Sequence, residues 1–475
     1  MTTDASDVRR VLERIVRRER GRLVAGLAAR LGPAGFALAE DVAQDALVEA
    51  MAAWPYQGLP DEPAAWLQRV ARNKAIDRLR RDGRLTAEED LAPVPIAARR
   101  PLERGELSDP ELRLADLCCH PTLSRLEQLT LTLKMVGGFT AREVATVFLA
   151  DPAAIGQRVA RAQRKLRAAV DAEGDLGGSA TVFELRRRLP AIRRTIYLLF
   201  SLGYAPRDGD RLVRDDVCRE ACRLAELLCE HPASRDADSH ALAALLALQS
   251  ARRAARTDAE GKPVLLRDQD RSLWDREAIA RGVEHLSRAR DAVRPSAWHL
   301  EAAIAAAHAG APTWEATPWS EIDRLYRLLE RFSPSPVAAV NGCVARIMVG
   351  RPQEALDRLD TLSAEGRLRR FSLLHLARAE ALDQLGRKEH AAQALREAQR
   401  GDLSGAVRRF LDEQLQARQS GESARVTPPE SRLPDSEDLR EEPQPPKRSA
   451  RAASSDGKSK ANPSSASRRD TQYRP

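Results

Sequence analysis

Apolar positions in residues 151–167 (DPAAIGQRVARAQRKLR) recur as Ile155, Val159, Ala162 and Leu166, one stripe at helical spacing. Asp151-Pro152 opens the run as helices open, with an acceptor for free N–H groups and a proline at the first helical position. Arg158, Arg161, Arg164, Lys165 and Arg167 add cations with no acid among them, and Gln157, Arg161 and Arg164 point away from the stripe. A helix that docks by one face and offers Gln and Arg on the other suits a DNA major groove; a solvated basic face is the plainer alternative. Upstream, residues 124–135 predict an amphipathic helix stopped at Gly137-Gly138. Thr140-x-x-Glu143 is a capping box opening residues 141–149, whose Val144, Ala145 and Phe148 face inward. Together the segments predict a helix-turn-helix with a basic second helix.

The first part of the chain carries a second pattern. Residues 39–54 (AEDVAQDALVEAMAAW) place Val42, Ala46, Leu47 and Ala50 on one side of a helix. A Pro- and Gly-containing loop, 55–63, leads into residues 64–81 (AAWLQRVARNKAIDRLRR), where Trp66, Asn73, Asp77 and Arg80 share one side. An aromatic ring beside Asn, Asp and Arg suits bases that have left the stack, while a core tryptophan is the structural alternative.

From residue 181 to about 418 the pattern stays helical, with predicted helices at 183–200, 215–228, 240–256, 301–308 and 321–332. Residues 337–350 followed by RPQEALDRL echo residues 373–386 followed by RKEHAAQAL. The recurrent Gly350 and Gly386 are spaced close to a tetratricopeptide period. In residues 265–275 (LLRDQDRSLWD) several charges surround Trp274, which predicts an ionic loop pinned by a buried ring in preference to a ligand site. Residues 421–475, rich in Pro, Ser, Arg and Asp, hold too few large apolar groups to order themselves.

At 475 residues the chain exceeds a single core, and its net charge of +8 favours an anionic partner. No apolar run of about 18 residues and no secretory hydrophobic core occurs, so a cytoplasmic protein without a membrane partner is expected. Six cysteines in so long a chain make no disulfide framework. Cys118-Cys119-His120 lacks a second pair at zinc spacing, and Cys218, Cys222, Cys229 and His231 read better as small buried hydrophobes than as ligands. No nucleophile–base motif, phosphate loop or HExxH is present. The expectation is no catalytic residue, no metal and no cofactor: a protein that is not an enzyme.

Residues 39–54, the Pro-bounded loop and residues 64–81 resemble region 2 of the bacterial sigma-70 superfamily, in its extracytoplasmic-function (ECF) version. The helix-turn-helix ending in GQRVARAQRKLR resembles region 4 of the same group, with no region 3 between. Cys118-Cys119-His120-Pro121, LTLKMVGG (131–138), YLLFSLGY (197–204) and LLRDQDRSLWD (265–275) resemble a subgroup with a large tetratricopeptide-like C-terminal extension. The resemblance spans roughly residues 8–415. It implies an all-α fold with region 2 at 1–85, a linker at 86–109, region 4 at 110–172, a linker at 173–180, the helical extension at 181–420 and a disordered tail at 421–475.

The resemblance also implies roles. Asp41, Gln44 and Asp45, with Leu47 and Trp54 behind them, would bind the coiled coil of the RNA polymerase largest subunit, the flap being the other core contact. The loop at 55–63 would capture a flipped −10 base, and Trp66, Arg72, Asn73, Asp77 and Arg80 would read the −10 element. Ala154, Gln157, Arg158, Arg161, Arg164 and Lys165 would read the −35 element. Ala154 and Gly156 depart from the family, which often has Thr and Lys or Ala there; Gly156 weakens the helix by about 1 kcal/mol relative to Ala. The implied function is a sigma factor that directs promoter-specific initiation, with a regulatory protein as a further partner on the extension. The alternative is a helix-turn-helix regulator with a helical sensor domain that does not act as a polymerase subunit.

Overall fold

A computed structural model describes residues 19–28, 31, 35–81, 107–148, 150–173, 181–204, 214–258, 263–365, 368, 371–400, 408, 411, 412 and 415. Every regular element among these is helical, apart from an isolated antiparallel bridge between Thr257 and Pro263, so the all-α expectation holds. The linkers placed at 86–109 and 173–180 fall mostly, and the tail at 421–475 wholly, outside the described residues.

After the helical residues 19–28 come α1 (Phe36–Gln57) and α2 (Pro63–Arg81), which pack chiefly on each other. Val42, Ala46, Leu47 and Ala50 are buried as their spacing predicts, and they meet Leu67, Ala71 and Ala75 of α2. Three short helices and one long one follow: α3 (Pro110–Cys118), α4 (Arg125–Met135), α5 (Ala141–Phe148) and α6 (Pro152–Glu173). Each begins where the side-chain chemistry places it. Asp109 accepts from the Glu111 and Leu112 N–H groups, Ser124 and Glu127 close one capping box, and Thr140 and Glu143 close another.

One expectation changes here. The pattern of 124–135 is amphipathic, yet Leu129, Thr130, Leu131, Thr132, Leu133 and Met135 are all buried. The cause lies further along the chain. The long α7 (Val182–Tyr204) covers the face of α4 that α6 leaves open. Thr130 and Thr132 tolerate this because their hydroxyls donate back to the Leu126 and Gln128 carbonyls, at 2.6 and 2.8 Å.

The remainder is a helical array: α8 (Asp215–Glu230), α9 (Ala237–Ser250), α10 (Arg276–Arg288), α11 (Ala297–Gly310), α12 (Trp319–Phe332), α13 (Pro336–Met348), α14 (Pro352–Ala364), α15 (Ser372–Gln384) and α16 (Lys388–Gln399). The predicted 240–256 helix ends at Ser250 and continues as a separate 3₁₀ turn, Arg253–Arg256. Helix α10 was not foreseen. In α13–α16 the echo seen in the sequence becomes two helix pairs, each hinged at a glycine with positive φ: 78° at Gly350 and 75° at Gly386. A side chain with a Cβ is strained in that conformation, which explains why glycine recurs there. These helices own a separate core of Val340, Cys343, Leu359, Leu374 and Leu395, among others.

In segment 265–275 the Trp274 ring is buried as expected, but a different device pins it. Trp274 is buried with the Arg271 guanidinium 4.6 Å from its ring centre. Arg271 donates to the His308 and Ala311 carbonyls, tying this segment to the end of α11, while Asp270 and Asp275 cap the turns that follow them.

Candidate nucleic-acid interface

The stripe of α6 is buried throughout at Ile155, Val159, Ala162 and Leu166, so its opposite face is fixed outward. Asp151 accepts from the Ala153 N–H at 2.7 Å and starts the helix. Ala154, Gln157, Arg161 and Arg164 are exposed, and Arg158 is half-buried against the docked side. Lys165 is exposed as well, but its ammonium is bound to the Glu127 carboxylate at 2.7 and 2.9 Å. Against the burial that raises it, the Lys165 ammonium and the Ser124 N–H hold Glu127 below the usual carboxylate range. The face left for a ligand therefore centres on Gln157, Arg161 and Arg164, flanked by the helix N-terminus and its partial positive charge.

In α2, Asn73, Asp77 and Arg80 are exposed, while Arg72 and Trp66 are half-buried. Trp66 meets Trp54 edge-on, with ring centres 5.3 Å apart at 66°. Trp54 is only 2 % exposed and Leu47 is buried with it. These two hold Trp66 and α2 in place from behind and present no surface to a partner.

On α1, Asp41 and Gln44 are exposed and Asp45 is half-buried. Arg78 of α2 reaches both acids, at 3.2 Å to Asp41 and 2.6 Å to Asp45. The same face carries Val48 and Met51, large apolar groups left 59 % and 45 % exposed. Sequence reading named neither of these nor Arg78. A signal existed for Val48 and Met51: with Gln44 they form their own helical stripe, out of phase with the buried one. For Arg78 no signal existed, because the α1–α2 pairing register decides which cation meets which acid.

Regions far apart in sequence converge on Glu40. Its carboxylate accepts from Gln163 Nε2 of α6 at 2.5 Å and pairs with Lys134 of α4 at 3.1 Å, with Arg20 behind at 3.5 Å. A second junction gathers Arg22, Asp109, Glu111, Glu220 and Arg223. Burial, with Glu220 beside it, pushes Glu111 up to about 8. Against burial, hydrogen bonds from Arg223 and Glu111 hold Glu220 below its ordinary value. From the far side, Arg214 pairs with the capping Glu143 at 3.2 Å and stacks on Phe139 at 4.8 Å.

The remaining sequence candidates are separated. Cys118 and Cys119 are buried; burial and the neighbouring thiol raise the first, and burial pushes the second up to about 12. Burial also pushes Cys218 up to about 12 and Cys222 up to about 11, and their Sγ atoms face the Phe200 and Leu246 carbonyls. His231 accepts from the Ala233 N–H in the turn after α8. These four cysteines are apolar packing groups.

A family model described as sigma-70 region 2 matches residues 16–85, the segment that contains α1 and α2. The chain belongs to the sigma-70 superfamily. Region 2 supports a sigma factor role in RNA polymerase-directed transcription and implies binding to the polymerase core and to promoter DNA. Residues 188–290 of this sigma-70 chain match a family of unknown function (DUF6596). An uncharacterized protein of Rhizobium meliloti (strain 1021) is 39 % identical over 366 residues, covering 75 % of this chain and 84 % of that protein, and the two belong to one family. No solved structure matches. Among the described residues, no helix is long and apolar enough to cross a membrane.

Proposed function

We propose that the chain is an ECF-type sigma subunit that reads a −10 element with α2 and a −35 element with α6, and that its tetratricopeptide-like extension regulates it. The observation that carries this reading is the outward face of α6, Gln157, Arg161 and Arg164, fixed by a buried stripe downstream of the region 2 segment. Phosphate contacts from the arginines would position the helix, and Gln157 with Arg161 would meet base edges. Asp41, Gln44 and Asp45, with the apolar pair Val48 and Met51, would dock on core polymerase. The polymerase supplies the chemistry, so the chain itself is not an enzyme, and it works in the cytoplasm.

Regulation follows from distance. From Gln157 through the Gln163–Glu40 and Asp41–Arg78 contacts to Trp66, the path laid end to end is about 60 Å at helical rise and side-chain reach. The −35 and −10 elements are roughly 25 base pairs apart, about 85 Å of B-DNA. Both readers therefore cannot engage one promoter while Glu40 holds α6, and this arrangement is a closed state. The extension braces it through α7 on α4, Arg214 on Glu143 and Arg223 on Glu111. A regulatory protein bound to the paired helices α13–α16 would shift the balance between closed and open forms.

The test is run-off transcription with purified core polymerase on candidate promoters. Wild-type protein should direct promoter-dependent transcripts, and the exposed-face pair Val48→Asp and Met51→Glu should lose core binding while keeping its helical circular dichroism. Tight promoter binding with no affinity for core polymerase would favour the helix-turn-helix regulator instead. Deleting the chain from residue 181 is a poor test, because it strips α7 from α4 and bares the apolar groups beneath.

A further inference from the structure

Three helices within the segment of unknown function bring together a set of side chains that the sequence keeps far apart. Cys229 lies at the end of α8, His240 in the first turn of α9 and His285 near the end of α10; all three are buried. One ligand atom from each, the Cys229 Sγ and a ring nitrogen of each histidine, lies within 4.8 Å of the others. The two Nδ1 atoms face each other at 2.9 Å. On its far side His285 Nε2 meets the Glu226 carboxylate at 2.7 Å. We propose that Cys229, His240 and His285 form a binding site for a zinc-class divalent cation, with Glu226 as the carboxylate that orients His285.

The chemistry of the donors selects the ion. A thiolate with two imidazoles suits zinc, and three protein ligands leave a fourth position for water. Ligand atoms around tetrahedral zinc sit about 3.3–3.7 Å apart, so the two Nδ1 atoms need to spread by only a few tenths of an ångström. His285 already has the required tautomer. An ionised carboxylate only accepts, so Nε2 of the neutral ring carries the proton and Nδ1 presents a lone pair toward His240. For the metal form His240 moves its proton to Nε2 and the Cys229 thiol releases its proton to solvent. The start of α9 is held firmly for this role: Arg193 of α7 reaches Asp236, Asp238 and the Ser239 hydroxyl. A bound ion would tie α8, α9 and α10 at one point.

The probe is cobalt(II), then zinc(II), titrated into chelator-treated full-length protein. The expected result is one equivalent bound per chain, with tetrahedral cobalt absorption and a thiolate-to-cobalt charge-transfer band that zinc removes. Cys229→Ser should lose the charge-transfer band, His240→Gln should lose stoichiometric binding, and Glu226→Gln should weaken affinity by about 10–100-fold. Cys222→Ser should change nothing. Circular dichroism checks that each variant folds. If Cys229→Ser does not fold, Glu226→Gln and a zinc-dependent rise in the wild-type melting temperature decide the matter. Absence of stoichiometric binding, a charge-transfer band that survives Cys229→Ser, or a Glu226→Gln affinity equal to wild type overturns the site.

Discussion

The contact between Glu40 and Gln163 makes the closed state measurable. Glu40 belongs to α1 and Gln163 to α6, and the Glu40 side chain is only 13 % exposed where they meet. A hydrogen bond to a charged acceptor in such a place contributes about 1.5–3 kcal/mol. The pair with Lys134, whose side chain is 25 % exposed, adds at most about 1 kcal/mol after screening. Glu40→Ala should therefore weaken the closed arrangement by about 2–4 kcal/mol, a factor of roughly 30 to several hundred in the closed-to-open ratio. The assay is a double-mutant cycle in chemical denaturation, using Glu40→Ala, Gln163→Ala and the double variant. A coupling of about 1.5–3 kcal/mol is expected, because each single change already removes the bond. Run-off transcription with the same variants should rise. A coupling under about 0.5 kcal/mol would mean that the two helices are not apposed in the free protein, and the closed-state reasoning would fall with it.

Three further outcomes are expected. Arg161→Ala and Arg164→Ala should each lower the slope of log affinity against log salt by about 1 on promoter DNA, and unchanged slopes would remove α6 from the phosphate backbone. Gly156 sits on exposed α6 with no atom within 4 Å of where a Cβ would stand, so Gly156→Ala should stabilise by about 1 kcal/mol in denaturant titration; a loss would show that something packs there. Glu111, raised to about 8 from an ordinary 4.5, contributes stability that is fully present below about pH 4.5 and is lost as pH rises through about 8. Its partner Glu220, held low, acts in the opposite sense at the acid edge. Melting temperature against pH should thus fall less from 4.5 to 8 in Glu111→Gln than in wild type, and parallel profiles would refute the assignment.

What the sequence revealed was set by local rules. The α6 stripe, the capping box at Thr140 and the paired glycines of α13–α16 depend on residues within a few turns of one another, and all are found as read. What it concealed depends on register between distant elements. Cys229 was grouped with Cys218, Cys222 and His231 by proximity in the chain, but the packing of α8 against α9 and α10 sends it to His240 and His285. Helix α10 had a legible start in Asp275, which accepts from the Ala278 N–H, followed by Ala278, Gly282 and His285 on one face. The burial of α4 on every side had none, since its cover arrives with α7.

That cover bears on what opening costs. Helix α4 is held to the extension by apolar packing, with Leu131, Leu133 and Met135 in one core with Leu189, Ile192 and Leu199. Separating such a surface costs about 25 cal/mol for each Å² exposed, and water gives nothing back. Helices α1 and α2 pack chiefly on each other, but their buried side chains and those of residues 19–28 belong to the same continuous core as α4 and α7. Residues 19–28 also reach Glu111 and Glu220 through Arg22, and a Cβ at Gly21 would stand 2.8 Å from the Val136 carbonyl. The Glu40 contacts with Lys134 and Gln163 therefore add to an apolar cover and do not replace one. On the proposed reading, parting region 2 from region 4 breaks those contacts and also exposes part of this core. A regulator acting on the extension has to offset both costs, and added salt, which screens only the exposed charges, should open the closed form only in part.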